Sequence, residues 1–115
     1  MKDISGEIQY RGKIYKLVFN LNVMELMQEE YGSLEAWAEK SDGSLGEPSA
    51  KAVKFGFMVM LNEGIDIDNE ENGTEEKPLT LKQVGRMITE IGMKQVTSVL
   101  NKTVVDSTQS KEKNG

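Results

Sequence analysis

The chain of 115 residues contains neither cysteine nor histidine. The first absence excludes disulfides and thiol nucleophiles, and the two together exclude the zinc sites that are built on those ligands. The lack of histidine also removes the side chain that most often exchanges protons near neutral pH. Because no nucleophile–base pair, phosphate-binding loop or metal cluster can be drawn either, we expect a protein that is not an enzyme, with no catalytic residues, no cofactor and no metal.

Long apolar runs and basic patches are missing as well. The longest apolar run, residues 57–61, falls far short of the roughly 20 residues that a membrane-spanning helix needs. Nineteen acidic and fourteen basic residues give a net charge of −5, and the basic residues are spread along the chain. We therefore expect no nucleic-acid or membrane partner. The first residues lack the features of a signal peptide, so we expect a cytoplasmic protein.

The first structural signal is an alternation of apolar and polar residues on both sides of Arg11-Gly12. It predicts a β-hairpin over residues 7–19 with one buried face and with Gly12 at the positive φ of the turn. A two-stranded hairpin is marginal in water, so helices must cover its apolar face or another chain must extend it. The hairpin edge at Lys13 to Lys16 is one candidate docking site.

Helical periodicity follows the hairpin. Asn22 with Glu25 predicts the first helix cap, and Gly32 ends that helix. Ser33 is expected to cap a short second helix that ends at Lys40.

The next helix is apolar nearly all round from residue 50 to residue 61, which is typical of a central helix. Gly64 is expected to end it, and Gly56 inside it indicates that another helix backbone approaches closely. A Thr80 and Gln83 capping box starts a fourth helix. Gly92 separates that helix from a fifth, which completes the predicted set of about five helices.

Residues 65–77 are rich in acids and predict a mobile loop. Asp68, Glu70 and Asn72 fall at positions one, three and five of an EF-hand loop. Position twelve is Leu79 instead of a bidentate Glu, so we favour a hydrated loop over a calcium site.

Together these elements predict an α+β fold, mainly α, in which an N-terminal β-hairpin precedes a compact bundle of about five helices. Residues 1–105 are expected to form a single domain that includes the acidic loop. The polar residues 106–115 are expected to form a disordered tail.

Seven methionines, of which six are internal, are many for this length. Their flexible, polarizable side chains suit a groove that accepts varied apolar partners, but they are also ordinary core filler. Aromatic side chains likewise either anchor an interface or seal a small core. The candidate partner-binding residues are Met24, Met27, Tyr31, Trp37, Met87 and Met93.

Several short motifs resemble those of the small tail assembly chaperones of long-tailed phages and Gram-positive prophages. They are Gly12-x-x-Tyr15-x-Leu17-x-Phe19, Leu26 with Glu29-Glu30, Gly32-Ser33-Leu34-Glu35, and Pro78-Leu79-Thr80. The resemblance covers roughly residues 6–105. The acidic insert at residues 66–76 departs from the compact connection expected in that family.

The resemblance implies a non-enzymatic, helical protein that binds the tape-measure protein, prevents its aggregation and helps to recruit tail-tube subunits. Such a protein acts in the cytoplasm of the bacterial host and is absent from the mature virion. A homo-oligomer and a longer, frameshifted form are both left open. The alternatives are a structural virion protein, such as a head-tail connector or minor tail subunit, and a small acidic regulatory binding protein.

Overall fold

The computed structural model describes the backbone of residues 5–114 and the side chains of residues 6–108. Over that range it contains a two-stranded antiparallel hairpin and five helices, which confirms the predicted α+β, mainly α fold. The elements are β1 (Ser5–Tyr10), β2 (Lys13–Val18), α1 (Leu21–Tyr31), α2 (Leu34–Ser41), α3 (Ala50–Asn72), α4 (Leu81–Ile91) and α5 (Met93–Asn114). None of the described helices combines the length and the apolarity required to cross a membrane.

The hairpin turns at two consecutive left-handed residues, Arg11 with φ 52° and Gly12 with φ 78°. Positive φ at both central positions is the requirement of a type I′ turn, whose twist matches that of the flanking strands. The register places Ile8 opposite Tyr15. Ile8 and Leu17 are buried on the inner face. The predicted hairpin and its turn at Arg11-Gly12 are therefore confirmed, and the positive φ of Arg11 is the feature that the sequence did not reveal.

The first helix begins earlier than predicted. Its cap is Asn20, whose side-chain oxygen accepts a hydrogen bond of 3.2 Å from the backbone N–H of Val23. The predicted cap at Asn22 is wrong because that residue lies inside α1, where its side-chain amide donates to Glu63 at 3.2 Å. Asn20 has the extended backbone conformation that a cap requires.

The predicted starts of α2 and α4 and the predicted ends of α1, α2 and α4 hold within a residue or two. Ser33 caps α2, and Thr80 and Gln83 form the expected reciprocal capping box at the start of α4. Gly32 and Gly92 end α1 and α4 with φ values of 91° and 113°. These positions were predictable because each depends on contacts between residues that are close in sequence.

The central helix α3 continues eight residues past its predicted end at Gly64, so the acidic loop predicted at residues 65–77 is wrong as far as Asn72. Gly64 serves a packing role instead: a Cβ atom there would lie 2.7 Å from the carbonyl oxygen of Lys16 in β2. One turn further on, the Asp68 carboxylate lies 3.3 Å from the Lys16 ammonium group. Contact with β2 therefore stabilises the acidic end of the helix, which stops at Gly73.

The tail predicted to be disordered is helical over residues 106–114, and residue 115 lies outside the described residues. The Lys102 ammonium group pairs with the Asp106 carboxylate at 2.7 Å, one turn apart. The Ser107 hydroxyl donates a hydrogen bond of 3.2 Å to the carbonyl of Phe19. The hydrogen bond to Phe19 holds α5 against the body of the protein at the point where the sequence turns polar.

A single apolar cluster joins all seven elements, with α3 as its largest contributor. Trp37 of α2 lies over Gly56 so closely that a Cβ atom at Gly56 would overlap its ring. The Trp37 indole N–H also donates a buried hydrogen bond of 2.8 Å to the carbonyl of Ala52. The close approach predicted at Gly56 is confirmed, but an indole ring occupies the space instead of a helix backbone.

We expect Gly56→Ala to destabilise the protein by about 2 kcal/mol, because the added methyl group overpacks the Trp37 contact. Gly85→Ala in α4 is the matched control, since its Cβ would meet the flexible end of Lys54 at 3.4 Å. The control should be neutral or gain up to about 1 kcal/mol from helix propensity. Urea denaturation of both variants tests this, and equal effects would contradict the packing role of Gly56.

Candidate partner-binding surface

Three of the six candidate residues are part of the core. Met27, Trp37 and Met87 expose 0%, 2% and 3% of their surfaces. Side chains buried to this extent do not contact a partner while the fold is intact. For these three residues the structure supports the alternative interpretation, in which methionine and tryptophan fill the core.

The other three candidates, Met24, Tyr31 and Met93, are partly buried and pack against the margin of the core. Met24 and Tyr31 are both on α1, seven residues apart. Two helical turns separate them, so they lie on the same side of that helix. Met93 is the first residue of α5.

Helix α1 runs antiparallel to α3. At one end, the Asn20 side-chain amide donates to the Glu63 carboxylate at 2.8 Å. At the other end, the rings of Tyr31 and Phe55 meet edge to face, with centroids 5.6 Å apart and an angle of 65° between their planes. The two contacts fix the line along which the helices meet.

This arrangement extends the candidate surface onto α3. Phe55 and Met58 are three residues apart on one side of α3, and both are partly buried. Since the ring contact joins Phe55 to Tyr31, these side chains continue the surface that Met24 and Tyr31 begin. We call this surface of Met24, Tyr31, Phe55 and Met58 the α1–α3 strip.

The sequence did not indicate Phe55 as a site residue. Helix α3 looked apolar nearly all round, and such a pattern marks every side as buried. The useful signal would have been the spacing from Phe55 to Met58 and Asn62, which lie on one side of the helix at intervals of three and four residues.

The hydroxyl group of Tyr31 is enclosed but has no hydrogen-bond partner among the described residues. Burial, with a smaller effect of the nearby Glu30 charge, raises the pKa of this hydroxyl above its usual value. Both effects disfavour the tyrosinate form. A buried polar group without a partner costs stability, which is unusual in a native fold.

Exposed apolar and acidic side chains surround the strip on α1. Leu21 and Leu26 expose 74% and 42% of their surfaces. Glu25, Glu29 and Glu30 are also exposed, and α1 contains no lysine or arginine. The strip is thus an apolar surface next to a negatively charged helix.

The predicted docking edge at Lys13 to Lys16 is partly occupied by contacts within the chain. The Lys13 ammonium group donates to the Glu76 carboxylate, which raises the pKa of Lys13. The Lys16 side chain pairs with Asp68, and its carbonyl lies against α3 at Gly64. Helix α3, which is longer than predicted, thus occupies part of this edge, while Ile14 between the two lysines stays 62% exposed.

The hairpin tip and the space between α2 and α5 offer little room for a ligand. At the tip, Arg11 binds both carboxylate oxygens of Glu90 at 3.0 and 3.3 Å, which raises the pKa of Arg11 and lowers that of Glu90. A cleft of about 20 Å³ beside Trp37 and Leu100 has space for one water molecule. Within the described residues, no three carboxylates converge to form a metal site.

Comparisons with protein-family models, with curated proteins and with solved structures found no match. The candidate surface therefore depends on the chemistry and geometry of this chain alone. The α1–α3 strip contains the ring contact between Tyr31 and Phe55, with Met24 and Met58 partly buried on the same two helices.

We expect Tyr31→Phe to raise the free energy of unfolding by about 1 kcal/mol, because it removes an unpaired buried hydroxyl. Tyr10→Phe is the control, since the Tyr10 hydroxyl donates to Glu90 at 3.3 Å on the surface. The control should be neutral or slightly destabilising in urea denaturation. A loss of stability in Tyr31→Phe at neutral pH would mean that the hydroxyl has a partner.

The pH dependence of stability in Tyr31→Phe and in the wild type gives a second test. Because the folded state holds the pKa of Tyr31 above that of the unfolded chain, the unfolded state loses this proton first as the pH rises. Ionisation of Tyr31 therefore does not affect the free energy of unfolding below about pH 10, the ordinary tyrosine pKa, and lowers it above that pH. The stability advantage of Tyr31→Phe over the wild type should therefore widen above about pH 10, and a constant difference would contradict the assigned burial.

Proposed function

We propose that this protein is a tail assembly chaperone of a phage or prophage, which binds the tape-measure protein without catalysing a reaction. The observation that carries the proposal is the α1–α3 strip. Methionine and aromatic side chains on a partly open helix pair suit an apolar, helical client, because they adapt to varied side chains.

Two further features support this proposal. The hairpin followed by five helices agrees with the fold that the resemblance to tail assembly chaperones implies. The net charge of −5 favours solubility of a complex with an aggregation-prone client. In this proposal the protein acts in the cytoplasm of the bacterial host, helps to bring tail-tube subunits to the client, and leaves before the virion is complete.

The test is co-expression with the tape-measure protein of the same genome, followed by affinity capture and a solubility assay. We expect the wild-type chain to capture the client and keep it soluble. Met24→Asp, on the strip, should abolish both effects, because it places a charge in the apolar contact. Leu45→Asp is the matched control, since Leu45 is exposed in the loop between α2 and α3.

Circular dichroism and thermal melting then separate binding from folding. Met24→Asp should keep a cooperative transition, because Met24 is only partly buried. Met27→Asp should lose it, since a buried carboxylate in the core costs several kcal/mol. Absence of capture by the wild type, together with recovery of the protein in purified particles, would favour a structural virion component instead.

A further inference from the structure

The acidic residues of α1 have no counterions in the described part of the chain. Glu25, Glu29 and Glu30 are exposed, and none of them takes part in the salt bridges or side-chain hydrogen bonds of residues 6–108. Four acids elsewhere in the described chain do have basic partners, among them Asp68 with Lys16 and Asp106 with Lys102. Glu76 pairs with Lys13, and Glu90 pairs with Arg11.

The positions of these charges are also unfavourable for α1 itself. Glu25 and Glu29 are four residues apart, so like charges face each other across one helical turn. Glu29 and Glu30 lie in the last turn, where the helix dipole is negative and a basic residue would be favourable. The helix therefore carries a local electrostatic cost that nothing within the described chain compensates.

The uncompensated charge adjoins the α1–α3 strip. Glu25 follows Met24 directly, and Glu30 is close enough to Tyr31 to add to the rise in the pKa of its hydroxyl that burial causes. Successive residues of a helix are about 100° apart, so Glu25 projects to one side of Met24 and Tyr31 and Glu30 to the other, while Glu29 projects towards the outer side of α1.

The opposite edge of the strip differs in charge. On α3, Lys51 is exposed one turn before Phe55, and Lys54 extends towards Gly85 of α4. Neither lysine forms a salt bridge with the acids of α1. A segment that docks on the strip thus meets uncompensated negative charge along its α1 side.

From this complementarity we infer that the strip binds an amphipathic helix. The apolar face of that helix covers Met24, Tyr31, Phe55 and Met58, and its flank towards α1 carries lysine or arginine. The identification of that helix as a segment of the tape-measure protein rests on the proposed function. The basic flank supplies the counterions that α1 lacks, and the apolar face covers the side chains that the fold leaves partly open.

The test uses the full chain and two designed, fluorescently labelled helical peptides with the same apolar face. One peptide carries lysine on the flank, and the other carries glutamate. By fluorescence anisotropy at low salt, the lysine peptide should bind at least about tenfold more tightly, and its advantage should shrink at about 0.5 M salt because the charges are exposed. Met24→Asp should abolish binding of the lysine peptide.

Charge variants locate the effect. The triple variant Glu25→Gln, Glu29→Gln and Glu30→Gln should lose the preference for lysine, and it removes repulsion within α1, so the fold should persist. The triple variant Glu35→Gln, Glu39→Gln and Glu47→Gln changes the net charge equally with exposed acids outside α1, and it should keep the preference. Equal binding of both peptides by the wild type, or equal losses in the two triple variants, would overturn the inference.

Co-expression with the tape-measure protein separates this inference from the proposed function. Capture of the client by the wild type but not by the α1 triple variant supports both. Equal capture by the two proteins overturns the inference and leaves the chaperone function standing. Preference for the lysine peptide without capture of the client supports the basic partner and overturns its identification as the tape-measure protein.

Discussion

The fold depends on the close approach of other elements to α3 at two glycines. At Gly56 the Trp37 ring lies against the helix, and its indole N–H donates a hydrogen bond of 2.8 Å to the Ala52 carbonyl. At Gly64 the carbonyl of Lys16 in β2 takes the space of a side chain. Any larger residue at either position would push α2 or the hairpin away from the central helix. The positions of α2 and of the hairpin therefore both depend on the absence of a side chain at a glycine of α3.

The candidate surface is a consequence of this packing. The hairpin and α2 cover α3 at its glycines, while α1 meets it along the line from Asn20 and Glu63 to Tyr31 and Phe55. Side chains at the margin of that line remain partly open. Because α1 also carries uncompensated acids, the same helix supplies an apolar surface and the charge beside it. This combination connects the packing of the core to the partner that we propose.

The sequence was informative where structure depends on near neighbours, as at the Ser33 cap and the Thr80 capping box. The sequence did not predict helix ends that depend on contacts between residues far apart in the chain. The salt bridge from Lys16 to Asp68 spans 52 residues, and the hydrogen bond from Ser107 to Phe19 spans 88; these contacts extend α3 and α5 beyond their predicted ends. The helical periodicity placed the methionines on helices but did not show which of them are buried in the core and which are partly exposed. The list of candidate site residues therefore contained both kinds.

The central claim is that a client binds at the α1–α3 strip, and the methionines provide probes on and off that surface. The most direct measurement is an NMR spectrum of the chain with ¹³C-labelled methionine methyl groups, recorded with and without a soluble fragment of the tape-measure protein. We predict changes at Met24 and Met58 on the strip, while Met27, Met60 and Met87 in the core keep their shifts. Changes confined to Met93, or an unchanged spectrum with saturating client, would contradict it.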